Sequence, residues 1–233
     1  MKNKKKIAFL ASGNGGNLCF INKAITLGIL KNYEIVSVIC DRPCGAHNYA
    51  RKHSIPSQII SINTIDQSEL INSLETVSPD IIVTNIHRIL NNVLVNKYQK
   101  KLLNLHYSLL PAFSGVIGMN SVTQAINYGA KFLGVTVHYV EEELDKGLPI
   151  AQISFPYDQT QNNQDTQNLI FRFGCLCLLT SLSSFGSDKL SVYSANIYSN
   201  STLHQFTLSG GVLPQEFLQL DEFFWNSIKE EIL

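Results

Sequence analysis

The sequence predicts an α/β protein with a Rossmann-like, mostly parallel sheet that carries helices on both faces. Three observations support this fold class. Short runs rich in apolar, β-branched residues alternate with segments of helical periodicity. Most of these runs are apolar almost without a break, as expected for strands buried on both faces. Apolar residues make up 45% of the 233 residues, which is enough to cover such a sheet with a core.

The first half of the chain contains most of this alternation. The predicted strands are residues 7–11, 35–40, 59–62, 81–84 and 102–105. The predicted helices between them are residues 18–30, 46–53, 68–77 and 91–98. The first of these helices has apolar residues at 18, 20, 21, 25, 29 and 30, close to the period of 3.6. The third ends at Ser78-Pro79, because the residue before a proline disfavours the helical conformation.

The pattern continues in the second half and then weakens. We expect a short helix over 121–127, strands over 132–140 and 150–155, and a long, mostly apolar helix over 166–182. We therefore predict a main α/β domain over 1–190 and a short C-terminal extension over 191–233, with some strand and a short final helix. The aromatic residues from Phe217 to Trp225 either pack on the core or form a dimer contact.

Charge, apolar runs and the spacing of cysteines and histidines limit the possible partners of the protein. Lys+Arg and Asp+Glu both number 18, so the net charge is 0, which argues against a nucleic-acid-binding surface. No run of about 20 apolar residues predicts a membrane span. The five cysteines form no disulfide framework, so we expect free thiols and a cytoplasmic protein. The histidines and cysteines lack the spacing of metal ligands, and we expect no metal.

A glycine-rich loop, residues 12–17, lies between the first strand and the first helix. Its glycines permit a tight turn, and the following helix offers unpaired N–H groups, so the loop favours an anion, most naturally a phosphate. The loop is not a Walker motif, since no Gly-Lys-Ser/Thr follows. As a dinucleotide fingerprint it is poor, because Leu18 replaces the third glycine and only Asp41 follows the second strand as an acid. A tight turn without a ligand is the alternative.

Asn104 and His106 form the most informative pair. If a strand ends at His106, residues two apart point to one face, and both side chains lie at its carboxyl end. An Asn amide can donate to a developing oxyanion, and a His can carry a proton at neutral pH. Asp145, in a constrained turn after strand 132–140, is suited to orient that imidazole, whereas Glu141 to Glu143 look like a solvated acidic loop.

Taken together, these pieces resemble the folate-dependent formyltransferase family, and most of all its branch that formylates glycinamide ribonucleotide. The segments that carry the resemblance are 11–18 (ASGNGGNL), 79–83 (PDIIV), 88–90 (RIL), 103–111 (LNLHYSLLP), 134–140 (GVTVHYV) and 144–147 (LDKG). They cover about residues 6–156.

The resemblance implies N10-formyltetrahydrofolate as the formyl donor and a primary amine as the acceptor, with glycinamide ribonucleotide of de novo purine biosynthesis favoured. It assigns catalysis to Asn104, His106 and Asp145. It assigns folate binding to Arg88, Ile89, Leu90, Val95, Val140, Glu141, Glu142, Glu143 and Leu144. It further implies that Gly15, Gly16 and Asn17 bind the phosphate of the acceptor and that Ser108, Thr136 and His138 support the catalytic residues. No metal is required, and a homodimer is left open.

Departures from the family pattern affect the acceptor side. The loop 116–120 is about three residues longer than usual, and Asn85-Ile86-His87 replaces the usual Gly-Phe/Tyr-Met. The late helix lacks the family's glutamate. Alternatives are another acceptor such as an amino sugar nucleotide, a formyltetrahydrofolate hydrolase, or a non-enzymatic metabolite-binding domain. The hydrolases carry an extra N-terminal domain, and we expect this chain to begin at the catalytic one. Methionyl-tRNA formyltransferase activity is disfavoured by the neutral charge.

Overall fold

A computed structural model describes residues 3–186, 191–199 and 201–232. The strands are β1 Lys5–Ala11, β2 Tyr33–Cys40, β3 Ser57–Ile59, β4 Ile81–Asn85, β5 Leu102–His106, β6 Phe132–Tyr139, β7 Pro149–Pro156, β8 Val192–Ser199 and β9 Thr202–Ser209. The α-helices are α1 Gly16–Thr26, α2 Gly45–Lys52, α3 Ser68–Val77, α4 Asn92–Lys97, α5 Asn120–Tyr128, α6 Asn163–Ser183 and α7 Glu222–Ile232, and a 3-10 helix covers Gln215–Gln219. The predicted α/β class is confirmed.

The chain forms two compact units. The first contains Met1–Asn104, Val140–Glu142 and Phe223–Leu233, and the second contains Leu105–Tyr139 and Glu143–Glu222. The predicted boundary between 190 and 191 lies at the edge of segment 187–190, which is outside the described residues, and it stays a prediction. The predicted extension has strands, β8 and β9, which belong to the second unit, and a final helix, α7, which belongs to the first.

The first unit is built on parallel strands in the order β3-β2-β1-β4-β5. Alternate residues of β1 face opposite sides of this sheet. Ala8 and Leu10 join an apolar cluster with Leu70 and Leu74 of α3 and with Leu94 of α4. Ile7 and Phe9, which point the other way, are also buried. Burial on both faces explains why these strands appear in the sequence as unbroken apolar runs.

In the second unit the strands are antiparallel and follow the order β6-β7-β9-β8. The long helix α6 packs against β6 and β7. Arg172 of α6 is buried, and its guanidinium pairs with both carboxylate oxygens of Glu222 at 2.9 and 2.6 Å. That contact anchors the helix to the end of the unit.

Most predicted ends lie within one or two residues of the observed ones, α6 begins three residues earlier than predicted, and two predicted C-terminal ends are wrong by three residues or more. The third strand ends at Ile59 instead of continuing to residue 62. Its ladder with β2 covers residues 57–59, and the Ile60 N–H makes one last bond to the Cys40 carbonyl at 2.9 Å. Ile60 and Ile62 remain buried in the apolar cluster. The first helix ends at Thr26 rather than at residue 30. Gly28 adopts a left-handed conformation after this end, and the chain turns there. Leu30 is still buried beyond the turn, so the apolar periodicity of the sequence continues although the helix does not.

The described residues contain no helix with the length and apolar content that crossing a membrane takes. All five cysteines are free, and four of them, Cys19, Cys40, Cys175 and Cys177, are buried. The expectation of unpaired thiols is confirmed.

Candidate active site

His106 is the last residue of β5 and is 6% exposed. Its Nδ1 lies 2.9 Å from Ser108 Oγ, and Ser108 Oγ donates to the carbonyl of Ala112 at 2.5 Å. A carbonyl only accepts, so the single hydroxyl proton of Ser108 is used there, and His106 Nδ1 must be the donor to Ser108. The remaining nitrogen, Nε2, is buried and makes no hydrogen bond within the described residues.

Asp145 faces that nitrogen. Its Oδ2 lies 3.3 Å from His106 Nε2, and its Oδ1 lies 3.6 Å from His138 Nε2. The 3.3 Å contact is not aligned as a hydrogen bond, so we treat it as electrostatic. The Gly115 N–H donates to Asp145 Oδ2 at 2.7 Å. Burial alone would raise the pKa of Asp145, but the two imidazoles and this N–H outweigh it and hold the pKa below its usual range.

His138 and Thr136 support this arrangement from β6. His138 Nδ1 donates to its neighbouring carbonyl, that of Tyr139, at 2.8 Å, which turns Nε2 towards Asp145. Thr136 Oγ1 donates to the Ser108 carbonyl at 2.7 Å and accepts from the Leu110 N–H at 3.1 Å. The turn that carries Ser108 is therefore held by the strand beside it.

Gln152 strengthens the same turn, and sequence reasoning missed it. Its Nε2 donates to the carbonyl of Leu110 at 3.1 Å and to Thr136 Oγ1 at 3.0 Å. Gln152 pairs directly with Thr136 in the β6–β7 ladder. The available signal was a lone amide in a strand whose other residues are apolar except for Ser154. Gly115 was missed as well, and no local pattern pointed to it.

Asn104 lies two residues before His106 on β5. It pairs with Thr84 of β4, whose hydroxyl lies 3.1 Å from the carbonyl of Leu103 and 3.3 Å from Asn104 Oδ1. Thr84 has a single hydroxyl proton, and both oxygens lie within reach of it. The role of Asn104 as an oxyanion donor stays a prediction.

The glycine loop is closely packed. Gly15 precedes α1 with φ of +84°, and a Cβ on it would lie 2.8 Å from Ala46 Cα. A Cβ on Gly45 would likewise lie 2.8 Å from Asn14 Cα, so two backbones touch at this point. Gly16 and Asn17 form the first turn of α1, where backbone N–H groups point out of the helix end. The geometry suits an anion.

A carboxylate and two guanidiniums lie beside this loop. Asp41 accepts from Arg42 Nε at 3.0 Å, from Arg42 Nη2 at 2.6 Å and from Arg88 Nε at 2.8 Å. Ser12 accepts from the His87 N–H at 2.8 Å. Burial would raise the pKa of Asp41, but the bonds from Arg42, Ser12 and Arg88 lower it to about 2. The Arg88 side chain, predicted to bind folate, is thus paired and half-exposed.

The other predicted folate residues have mixed positions. Leu90 and Val140 are half-buried and pack against the apolar cluster that contains the buried Val95, whereas Ile89 is 62% exposed. Glu142 accepts from Asn92 at 3.1 Å and from Asn96 at 2.8 Å, which holds its loop on α4. Glu142 is exposed to solvent despite these contacts, as are Glu141, Glu143 and Leu144.

Gln67 is a buried amide that was not predicted. Its Nε2 donates to the carbonyl of Ile89 at 2.9 Å, and its Oε1 accepts from the N–H of Asn91 at 3.0 Å. It therefore fixes the backbone of the segment 88–90. Across the parts of the chain that the structure describes, no group of three or more His, Cys, Asp or Glu side chains is arranged to hold a metal ion.

Comparison with known proteins agrees with this geometry. The profile of the family described as Formyl transferase matches residues 5–175. The phosphoribosylglycinamide formyltransferase of Bacillus subtilis is 32% identical over 164 residues, which cover 66% of this chain and 81% of that protein. The chloroplastic enzyme of the same name from Arabidopsis thaliana is 30% identical over 64% of this chain, and a formyltetrahydrofolate deformylase of Haemophilus influenzae is 32% identical over 58%.

The matched segment spans only 54% and 51% of those last two relatives, about half of their length. Among solved structures, phosphoribosylglycinamide formyltransferase from Bacillus halodurans superposes with a TM-score of 0.72 at 27% identity and covers 79% of this chain and 96% of that one. The family profile matches well over half of the residues, and the fold agrees. The chain therefore belongs to the formyl transferase family.

Proposed function

We propose that this protein transfers a formyl group from N10-formyltetrahydrofolate to a primary amine, with glycinamide ribonucleotide as the favoured acceptor. The observation that carries the proposal is the state of His106. Its Nδ1–H is committed to Ser108, while Nε2 is buried, faces Asp145 and has no hydrogen-bond partner within the described residues. Such a nitrogen is poised for proton transfer to a reacting group.

The chemistry assigns a role to each catalytic residue. The amine nitrogen attacks the formyl carbon, the carbonyl electrons move to oxygen, and a tetrahedral oxyanion forms. Asn104 donates its amide N–H to that oxyanion. His106 accepts the proton that the amine loses and delivers a proton to N10 as the C–N10 bond breaks. Asp145 stabilises the positive charge of the imidazole while it is protonated.

The glycine loop supports a phosphorylated acceptor. Gly15, Gly16 and Asn17 present the N–H groups of a helix end, and an acceptor with a phosphate matches that charge. We assign the donor to the residues around Arg88, Ile89, Leu90, Val95 and 140–144. An amino sugar nucleotide would satisfy the same loop and remains the rival acceptor.

Hydrolysis of the same donor is the second candidate. It is favoured by the similarity to a protein named formyltetrahydrofolate deformylase. In that reaction water replaces the amine at the same catalytic residues, and no phosphate group binds at the glycine loop. Release of tetrahydrofolate without any amine separates the two candidates.

We further propose a cytoplasmic location, supported by the free state of all five cysteines, and neither nucleic acid nor membrane as a partner. The proposed catalytic residues all belong to one chain.

The test is an assay of tetrahydrofolate release from N10-formyltetrahydrofolate, with and without glycinamide ribonucleotide. We expect turnover by the wild type only with the ribonucleotide, and a loss of about 10²–10⁴-fold in His106→Ala. His204→Ala, a change in β9 of the same unit, is the matched control and should keep its rate. Turnover without an amine would favour hydrolysis, and absence of folate binding would favour a non-enzymatic binding domain.

A further inference from the structure

Asn85, the last residue of β4, has a side-chain oxygen that is buried and accepts no hydrogen bond within the described residues. The neighbouring polar groups, by contrast, make hydrogen bonds. Its own backbone carbonyl accepts from the Ser12 N–H at 3.2 Å, and Ser12 Oγ accepts from the His87 N–H at 2.8 Å. A buried carbonyl without a donor lowers stability, so an isolated one among satisfied neighbours calls for an explanation.

The direction of the Asn85 side chain follows from strand alternation. Thr84, one residue earlier, contacts Asn104, and Ile86, one residue later, packs on the cluster formed with α3 and α4. Asn85 must therefore point to the opposite face of the sheet. The predicted folate residues Leu90 and Val140 pack on the α3 and α4 side, so Asn85 is turned away from them.

The neighbours of Asn85 along the sheet edge are informative too. In the β1–β4 ladder it pairs with Ala11, the residue directly before the glycine loop. On the other side, β4 pairs with β5, which carries Asn104. Asn85 thus lies at the end of the strand between the candidate phosphate site and the candidate oxyanion donor.

We propose that the Asn85 amide is a specificity-determining group for the amine acceptor. Its oxygen accepts a hydrogen bond from a hydroxyl in the part of the acceptor that links the phosphate to the reacting amine. This inference rests on the proposed function and extends it to the sugar portion of the substrate. It also assigns a role to Asn85, which stands where the family pattern has glycine.

The first test compares Asn85→Ala with wild type and with Asn72→Ala, a control that removes an exposed amide from α3. We expect the KM for glycinamide ribonucleotide to rise about 10-fold in Asn85→Ala, with the KM for the folate within about twofold of wild type. Thermal stability should stay equal or rise, because the unsatisfied buried group is gone. An unchanged ribonucleotide KM, or equal increases in both KM values, would overturn the inference.

The second test uses the 2′-deoxy and 3′-deoxy forms of the ribonucleotide. If Asn85 binds one of these hydroxyls, the matching analogue weakens wild type but adds little to the loss in Asn85→Ala. Additive losses for both analogues contradict the assignment. A wild type that turns over no ribonucleotide would instead refute the proposed function itself, and the inference with it, so the two failures are distinguishable.

Discussion

Ser108 fixes the tautomer of the His106 imidazole through a single hydroxyl proton. Because its hydroxyl is committed to the Ala112 carbonyl, it accepts only from His106 Nδ1, and this selects the tautomer of the neutral ring. Thr136 in turn holds the Ser108 backbone. The orientation of the His106 ring is thus set by Ser108 directly and by Thr136 through the Ser108 backbone.

Replacement of Ser108 tests that relay. We expect Ser108→Ala to lower kcat by about 10–100-fold with little change in either KM, since the imidazole loses its fixed tautomer and orientation. Steady-state kinetics and the pH profile of kcat measure the effect. Ser181→Ala removes another buried hydroxyl bonded to a carbonyl and serves as the control. Equal kcat in both variants would contradict the role.

Asp41 gives a pH-dependent contribution to stability. Its folded pKa of about 2 lies below the ordinary value of 3.8, so the contribution is complete above about pH 4 and is lost as the pH falls through the folded value. We expect Asp41→Asn to lower the free energy of unfolding at pH 7, and the gap to wild type to narrow below about pH 4. Urea unfolding across this range measures it, with the exposed Glu230→Gln as control. A constant gap would count against the pairing.

At the scale of elements, the glycine loop depends on a contact between two backbones. Gly15 needs a left-handed conformation and also leaves no room for a Cβ beside Ala46, so only glycine suits both requirements. Gly13 in the same loop has open space around it and no such conformation. Gly13 can therefore serve as the control for a substitution at Gly15.

The Gly15→Ala variant should have a free energy of unfolding about 1–3 kcal/mol below that of wild type. Its KM for a phosphorylated acceptor should also rise. Gly13→Ala should stay within about 1 kcal/mol of wild type. Urea unfolding and acceptor kinetics on the pair provide the measurement. If both variants behave alike, the close packing against α2 is not what shapes the loop.

At the scale of the whole molecule, the last helix completes the first unit. Trp225 of α7 is 2% exposed and stacks on Phe20 of α1, with ring centroids 5.7 Å apart and planes 3° from parallel. Glu231 pairs with Lys52 and His53 of the segment that ends α2. Of the two sequence alternatives for the aromatic tail, packing on the core is the one observed for Phe217 and Trp225.

Loss of the Trp225 side chain should therefore cost about 3–5 kcal/mol of unfolding free energy, because a large ring is removed from a packed site. The neighbouring Phe223, which is 82% exposed, provides the control, and Phe223→Ala should cost less than about 0.5 kcal/mol. Chemical denaturation of both variants measures these two losses of unfolding free energy. Comparable losses would mean that the exposed ring, too, is buried in solution, for instance between copies of the chain.

Local pattern predicted most elements well. The helix over Ser68–Val77 agrees with its prediction at both ends, and the observed strand over Ile81–Asn85 extends one residue further than predicted. Errors arose at Ile60 and Leu30, whose side chains are buried outside any strand or helix although both backbone N–H groups still donate to backbone carbonyls. A sequence pattern reports burial, and burial can continue past the residue at which a strand or helix ends.

Runs and motifs of neighbouring residues were enough to predict the α/β class, the glycine loop before α1 and the candidates Asn104, His106 and Asp145. Packing was needed to show which nitrogen of His106 faces Asp145, that Asp41 pairs with Arg88 and that the side-chain oxygen of Asn85 has no donor within the described residues. The Asp41–Arg88 pair joins residues 47 positions apart, and His106 and Asp145 are likewise remote in the chain. Hydrogen bonds require a donor and an acceptor within about 3 Å, and that proximity is created only when remote segments pack.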